Sequence, residues 1–161
     1  LGYWNNELET SKVLKDGWLY TGDIGHFENE YLKITDRKKD IIITPGGDNI
    51  SPVKLENDIV KIDFIEQALV YGDNKPYLVA LLVLKKEKKE IINENIIHKI
   101  EIINKNLSKI EKIKKFLIIE DQFTIENGLM TPTLKLKRYK IIKQYKNEFE
   151  KFYNWNKILI I

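Results

Sequence analysis

Two short stretches carry the side chains best suited to chemistry on a phosphorylated ligand. Asp23 ends the run Tyr20-Thr-Gly-Asp23, and a carboxylate in that position can accept both hydroxyls of a ribose. It reads equally as a turn aspartate bonded to its own backbone. Lys135 lies in Thr131-Pro-Thr-Leu-Lys135-Leu-Lys-Arg138, just ahead of an expected helix. Its ammonium is a compact point charge on a flexible stem, fit to neutralise negative charge as it develops. Otherwise Lys135, Lys137 and Lys140 are the polar side of a strand and a helix. Arg37 offers a planar fork that suits a ribose hydroxyl or a phosphate, or that pairs with Asp36 at the surface. Gly46 and Gly47 would let backbone approach a ligand closely, or form an ordinary turn. Lys39-Asp40 has the placement of a hinge, at the end of an element.

Those side chains need a scaffold, and the composition bounds what it can be. The chain has 161 residues, 43% hydrophobic and 32% charged, enough for one domain with a core, or a domain with a small appendage. The 27 basic and 24 acidic residues leave a net charge of +3, too mild to indicate nucleic acid. There is no cysteine, and His26 and His98 are the only histidines. Thiolate and histidine-rich metal sites, disulfides and a cysteine nucleophile are therefore excluded. No apolar run approaches the ~20 residues of a membrane-spanning helix. The tail Ile158-Leu-Ile-Ile161 is too short for that and is expected to be docked or frayed. The opening Leu1-Gly-Tyr-Trp4, without methionine, suggests a piece of a longer protein.

Patterning predicts the elements. Trp18-Leu-Tyr20 is a short strand closed by Thr21-Gly22-Asp23, and Phe27 to Ile34 is a hairpin turning at Glu28-Asn29-Glu30. The charge run Asp36 to Asp40 separates this hairpin from apolar Ile41 to Ile43, as a boundary between structural units would. Thr44 to Asp48 is a loop. Ser51-Pro52 starts a helix, serine as N-cap and proline in the first turn, with Leu55, Ile59 and Ile62 on its buried face. Phe64 to Tyr71 and Tyr77 to Leu84 are strands joined by Gly72 to Pro76 and paired antiparallel. Glu87 to Lys114 is helix-rich, with the stripe Ile92, Ile96, Ile100, Ile103, Leu107 and Ile110. Phe116 to Ile119 is a strand. Arg138 to Tyr153 closes the chain as a helix with Tyr139, Ile142, Tyr145 and Phe149 on one side. The sum is an α+β fold: a small antiparallel or mixed sheet with about three helices packed on it, preceded by a short β-hairpin.

The blocks Gly17-Trp-Leu-Tyr-Thr-Gly-Asp-Ile-Gly25, Ile34-Thr-Asp-Arg-Lys-Lys-Asp-Ile-Ile42, Gly46-Gly-Asp-Asn-Ile-Ser-Pro52 with Leu55-Glu56, and Thr131-Pro-Thr-Leu-Lys135 occur in an order that resembles the adenylate-forming enzymes. Within them the chain looks most like the C-terminal part of the long-chain acyl-CoA synthetases (fatty acid–CoA ligases). The resemblance implies that residues 1–38 end a large ATP- and acyl-binding domain and that residues 39–161 form a mobile C-terminal domain. It implies Asp23 as the ribose ligand, Arg37 as a second nucleotide contact, and Lys39 as the hinge. It places Gly46 and Gly47 in the loop facing the site during thioester formation, and makes Lys135 the catalytic lysine of adenylate formation. ATP, Mg2+ and CoA are the implied cofactor and co-substrates, and fatty acid the implied substrate. The large N-terminal domain of the same parent is the implied partner. An intracellular parent is implied, cytoplasmic or peripherally associated with a membrane such as the endoplasmic reticulum.

Two departures stand out. Many relatives have glycine where this chain has Leu134, and glutamate where it has Asp48. They leave Lys137, on the same face of an extended strand as Lys135, as the alternative lysine. The phosphate loop and acyl tunnel of such enzymes are not in this sequence, so the fragment alone is expected to be inactive. The other readings are a ligase for a short or aromatic acid, and a non-catalytic module whose lysine-rich last helix docks on an acidic partner.

Overall fold

The computed structural model describes residues 2–88 and 93–154. Ile92 and the Ile158–Ile161 tail lie outside the described residues. The chain forms two compact units, residues 1–39 and 40–161.

The first unit is made of turns that the sequence encodes locally. Helix α1 (Glu7–Val13) starts at Asn6, whose side chain accepts the Glu9 N–H. Strands β1 (Leu14–Lys15) and β2 (Trp18–Leu19) pair antiparallel across Asp16-Gly17, both at positive φ, the backbone of a tight two-residue hairpin. Strands β3 (Asp23–Glu28) and β4 (Tyr31–Arg37) form a second hairpin across Asn29 and Glu30, again both at positive φ. The hairpin is longer at both ends than the hydrophobic pattern suggests. Asp23 therefore opens β3 instead of closing the preceding strand. Aromatic side chains stay largely exposed: Trp18 at 75%, Phe27 at 76%, Tyr31 at 80%.

The second unit is a three-layer α+β sandwich. A two-stranded ribbon, β5 (Ile42–Ile43) with β6 (Asn49–Ile50), leads into helix α2 (Pro52–Ile59). Ser51 caps α2 by accepting the Lys54 N–H, and Pro52 follows. The main sheet has the order β7 (Ile65–Tyr71), β8 (Leu78–Leu84), β9 (Ile113–Ile119). The pair β7–β8 is antiparallel and β8–β9 is parallel, because helix α3 (Asn93–Lys105) carries the chain back between β8 and β9. Asn104 fastens that return: its amide donates to the Ile113 carbonyl and its carbonyl accepts the Ile113 N–H, each at 2.9 Å.

Every residue of β8 is buried, since both faces of the sheet are covered. Leu78, Ala80, Leu82 and Leu84 pack with Leu55 and Ile59 of α2 and Ile96 and Ile100 of α3. Val79, Leu81 and Val83 pack on the opposite face with Phe123, Leu129, Ile141 and Phe149. The period-two alternation of a strand thus separates two hydrophobic layers.

The expected closing helix is two helices, α4 (Arg138–Gln144) and α5 (Lys146–Tyr153), broken at Tyr145. Ile141 and Phe149 both pack on the sheet, while Tyr139 remains 78% exposed. The stripe after Glu87 is likewise shorter than its periodicity: α3 ends at Lys105, and Leu107 and Ile110 lie beyond it. Helix α5 docks through aromatic contacts. Tyr71 and Phe149 lie 4.3 Å apart and Tyr77 and Tyr153 5.1 Å apart between ring centroids. The Tyr153 hydroxyl donates to the Tyr77 carbonyl at 3.1 Å, and burial pushes its phenol well above the usual tyrosine range.

Candidate functional site

In the first unit the structure brings Asp23 and Arg37 together. They face each other across the hairpin, first residue of β3 against last residue of β4. Arg37 Nε lies 3.4 Å from Asp23 Oδ1. The turn before Asp23 is fixed by Gly22 at φ +73, by the Asp23 N–H donating to Thr21 Oγ1 at 3.1 Å, and by Lys38 N–H donating to the Gly22 carbonyl at 2.7 Å. The result is a carboxylate and a guanidinium side by side, both partly open to solvent. One accepts hydroxyl protons and the other donates in a fork. Exposed pairs of this kind add little stability, so their arrangement matters chiefly for what they could bind. Lys39, exposed and in a turn, sits at the border of the two units.

In the second unit Gly46 and Gly47 belong to the loop between β5 and β6. Thr44 and Asp48 close it: Thr44 Oγ1 donates to Asp48 Oδ2 at 3.0 Å, and Asp48 N–H donates back to Thr44 Oγ1 at 3.1 Å. Gly47 has φ +87, and a Cβ there would meet nothing within 4 Å. The glycine is required by backbone angle, and the space around it is open.

Lys135 occupies a different loop from Gly46 and Gly47. Met130 and Leu136 form an isolated antiparallel bridge, and Thr131 N–H donates to the Lys135 carbonyl at 2.8 Å. Pro132, Thr133 and Leu134 make the connection, with Leu134 at φ +59. A three-residue hairpin loop of this type ends on a left-handed residue, normally glycine. That is the physical meaning of the Leu134 departure: a leucine holds a glycine conformation. Thr131 Oγ1 accepts the Lys135 N–H at 3.1 Å and lies 3.0 Å from Thr133 Oγ1. The Lys135 backbone is therefore braced while its side chain is exposed. Lys137 is half-buried, sits at the N-cap position of α4, and donates its N–H to the Leu129 carbonyl at 2.8 Å. The two lysines belong to a loop and a helix start, which corrects the expectation of a continuous strand presenting both.

Sequence reasoning missed one constellation beneath this loop. Arg138 and Glu56 form an ion pair at 2.5 Å with side-chain exposures of 10% and 11%. The same Glu56 oxygen accepts the Val70 N–H at 2.6 Å, and Arg138 Nη2 donates to the Val70 carbonyl at 2.6 Å. Both residues stand inside the quoted motifs, Glu56 after Leu55 and Arg138 at the end of the Lys135 block. No local pattern pairs them. Among the described residues no cluster of histidine and carboxylate side chains could hold a metal ion, so nothing on these residues fits a resident cation.

The family model for the AMP-binding enzyme C-terminal domain matches residues 39–157. The long-chain-fatty-acid–CoA ligase FadD15 of Mycobacterium tuberculosis is 35% identical over 175 residues, covering 95% of this chain and 29% of that protein. The long-chain-fatty-acid–CoA ligase 5 of Mus musculus is 34% identical, over 94% of this chain and 26% of its own length. The adenylation domain of a carboxylate reductase from Mycobacterium chelonae superposes with a TM-score of 0.87 at 27% identity, covering 94% of this chain and 26% of that one. The corresponding domain from Segniliparus rugosus, in complex with AMP and a co-purified carboxylic acid, has a TM-score of 0.83 at 27% identity. The chain spans less than a third of the length of these curated relatives.

Proposed function

Since this chain belongs to the AMP-binding, adenylate-forming enzymes and carries their C-terminal domain, we propose that its parent is an ATP-dependent long-chain fatty acid–CoA ligase. In the first step a carboxylate oxygen of the acid bonds to the α-phosphorus of ATP. The bond from that phosphorus to the bridging oxygen breaks, and pyrophosphate leaves with the electron pair. In the second step the CoA thiol gives up its proton and adds to the acyl carbonyl, and AMP departs.

This chain's residues then take defined roles. Asp23 holds the ribose hydroxyls and Arg37 makes a second nucleotide contact. Lys135 places its ammonium against the reacting carboxylate and phosphate, where two anions must approach one another. Magnesium, entering with ATP, would screen the same charge, and these residues supply no cage for it. Residues 1–38 end the large domain; their exposed aromatic side chains are what a hairpin awaiting a larger core would present. Residues 39–161 are the mobile domain. Rotation about Lys39 withdraws Lys135 and brings the Gly46-Gly47 loop forward for thioester formation, a rigid-body exchange of two faces.

The observation that carries this reading is the Lys135 loop: a lysine whose backbone is braced in the stem against Thr131 while its side chain extends exposed. A lysine serving only as surface charge needs no such bracing. The names of the curated relatives favour the long-chain substrate. The likeness to carboxylate reductase adenylation domains favours, as second reading, a ligase for another acid. The test is Lys135→Ala in the full-length parent, with pyrophosphate release and thioester formation from supplied acyl-adenylate assayed separately. Loss of the first by roughly 10²–10³ with the second retained is expected for a positioned charge. Retention of both refutes the assignment. The isolated 161-residue chain should form no acyl-CoA.

A further inference from the structure

We infer that Glu56, acting through Arg138, is a positioning residue for Lys135. This inference rests on the role proposed above for that lysine. Arg138 is the first residue of α4 and follows Lys135 after Leu136 and Lys137. Helix α4 has no side-chain cap hydrogen bond at its start. Its first turn is instead seated by the Arg138 guanidinium, which reaches Glu56 on α2 at 2.5 Å and the Val70 carbonyl on β7 at 2.6 Å. Glu56 closes the ring by accepting the Val70 N–H. The two residues between the anchor and Lys135 are themselves tied, Leu136 to Met130 and Lys137 to the Leu129 carbonyl. Leu136 and Lys137 thus lock the two arms of the lysine loop together, and Arg138, next in the chain, ties that base to β7 of the central sheet.

A buried ion pair is poor evidence of stabilisation, because desolvation offsets most of its attraction. What a bidentate guanidinium supplies is geometry. Arg138 has two acceptors on two different elements, so it fixes both the height and the rotation of α4 relative to the sheet. Lys135 inherits that placement. Reaction rates are sensitive to it: a displacement of about 1 Å can cost about 10²-fold.

The experiment uses Glu56→Gln and Arg138→Lys in the full-length parent, each alone and combined with Lys135→Ala. Both substitutions keep the size and at least one hydrogen bond of the original. We expect each to lower kcat for pyrophosphate release at least tenfold, with KM for ATP and acid, and the thioester step, within about threefold. In the Lys135→Ala background they should cost nothing further, since residues acting as a unit are non-additive. Folded Arg138→Lys and Glu56→Gln proteins with unchanged kcat would overturn the inference. So would an equal extra loss in the Lys135→Ala background, which marks a general structural role. Should Glu56→Gln fail to fold, Arg138→Lys decides alone. Should Lys135→Ala retain pyrophosphate release, the reading of the lysine falls and positioning falls with it; unchanged kcat in the single variants while Lys135→Ala is defective overturns positioning alone.

Discussion

Leu134 holds a backbone angle that its own Cβ opposes, and this makes Leu134→Gly a quantitative test of the loop. At φ +59 a non-glycine residue carries a penalty of about 1–2 kcal/mol. Glycine relieves it but loses more freedom on folding, which returns about 0.5–1 kcal/mol. Leu134 is 69% exposed, close to its exposure in a compact unfolded chain, so little burial is forfeited. The balance is a gain centred on about 0.75 kcal/mol, within a span of ~0–1.5 kcal/mol. Leu134→Ala keeps the Cβ and should be neutral, which isolates the backbone effect from the side chain. Urea unfolding of the 161-residue chain, followed by helix circular dichroism, reads the second unit. With a slope of about 1–3 kcal/mol per molar urea, the glycine variant should move the midpoint upward by roughly 0.2–1 M. A glycine variant no more stable than the alanine variant would refute the reasoning. It would mean that the left-handed turn does not persist in solution.

Three further outcomes are expected. Tyr153 has its phenol pushed up by burial, so its neutral form stabilises the fold below the unfolded tyrosine value of about 10. That contribution fades as pH rises above about 10, and near-ultraviolet circular dichroism should show less alkaline loosening in Tyr153→Phe. Asn104→Asp should destabilise by about 1–3 kcal/mol at neutral pH, because a carboxylate then faces the Ile113 carbonyl in place of a donating amide. Lowering the pH through the aspartate's titration should recover part of this, as a thermal melt at two pH values would reveal. Leu81→Ala, a fully buried site in β8, should cost about 2–5 kcal/mol in urea unfolding.

What the sequence makes legible is whatever is encoded nearby. Ser51-Pro52 announces α2 because cap and first turn are adjacent residues. The β7–β8 hairpin is visible because Gly72 to Pro76 lies between two apolar runs. The parallel placement of β9 is not visible, since it depends on where α3 carries the chain. The break at Tyr145 has neither proline nor glycine to mark it. Ile141, Tyr145 and Phe149 stay on one face across it, so the apolar period reads straight through the break and leaves no sign of it. For the candidate site, Asp23, Arg37 and Lys135 stand out through chemistry and order. The pairing of Asp23 with Arg37 needed the strand register, which the shorter expected hairpin did not reach. Glu56 and Arg138 were hidden for a simpler reason: their partnership spans 82 residues.

The ring through Val70 has a consequence for solubility. In the order β7-β8-β9, β7 is a margin of the sheet, and a margin with idle peptide groups invites a foreign strand. At Val70 both outward groups are already engaged by Arg138 and Glu56. At Gln67 the side chain turns aside to the Phe123 backbone, beside an irregular register between Ile65 and Gln67. A segment as apolar as Ile-Glu-Gln-Ala-Leu-Val-Tyr would otherwise be a template for edge-on stacking of one molecule against the next. Here Val70, near one end of that flank, has both groups occupied by side chains of its own chain, which denies an incoming strand a run of idle partners there.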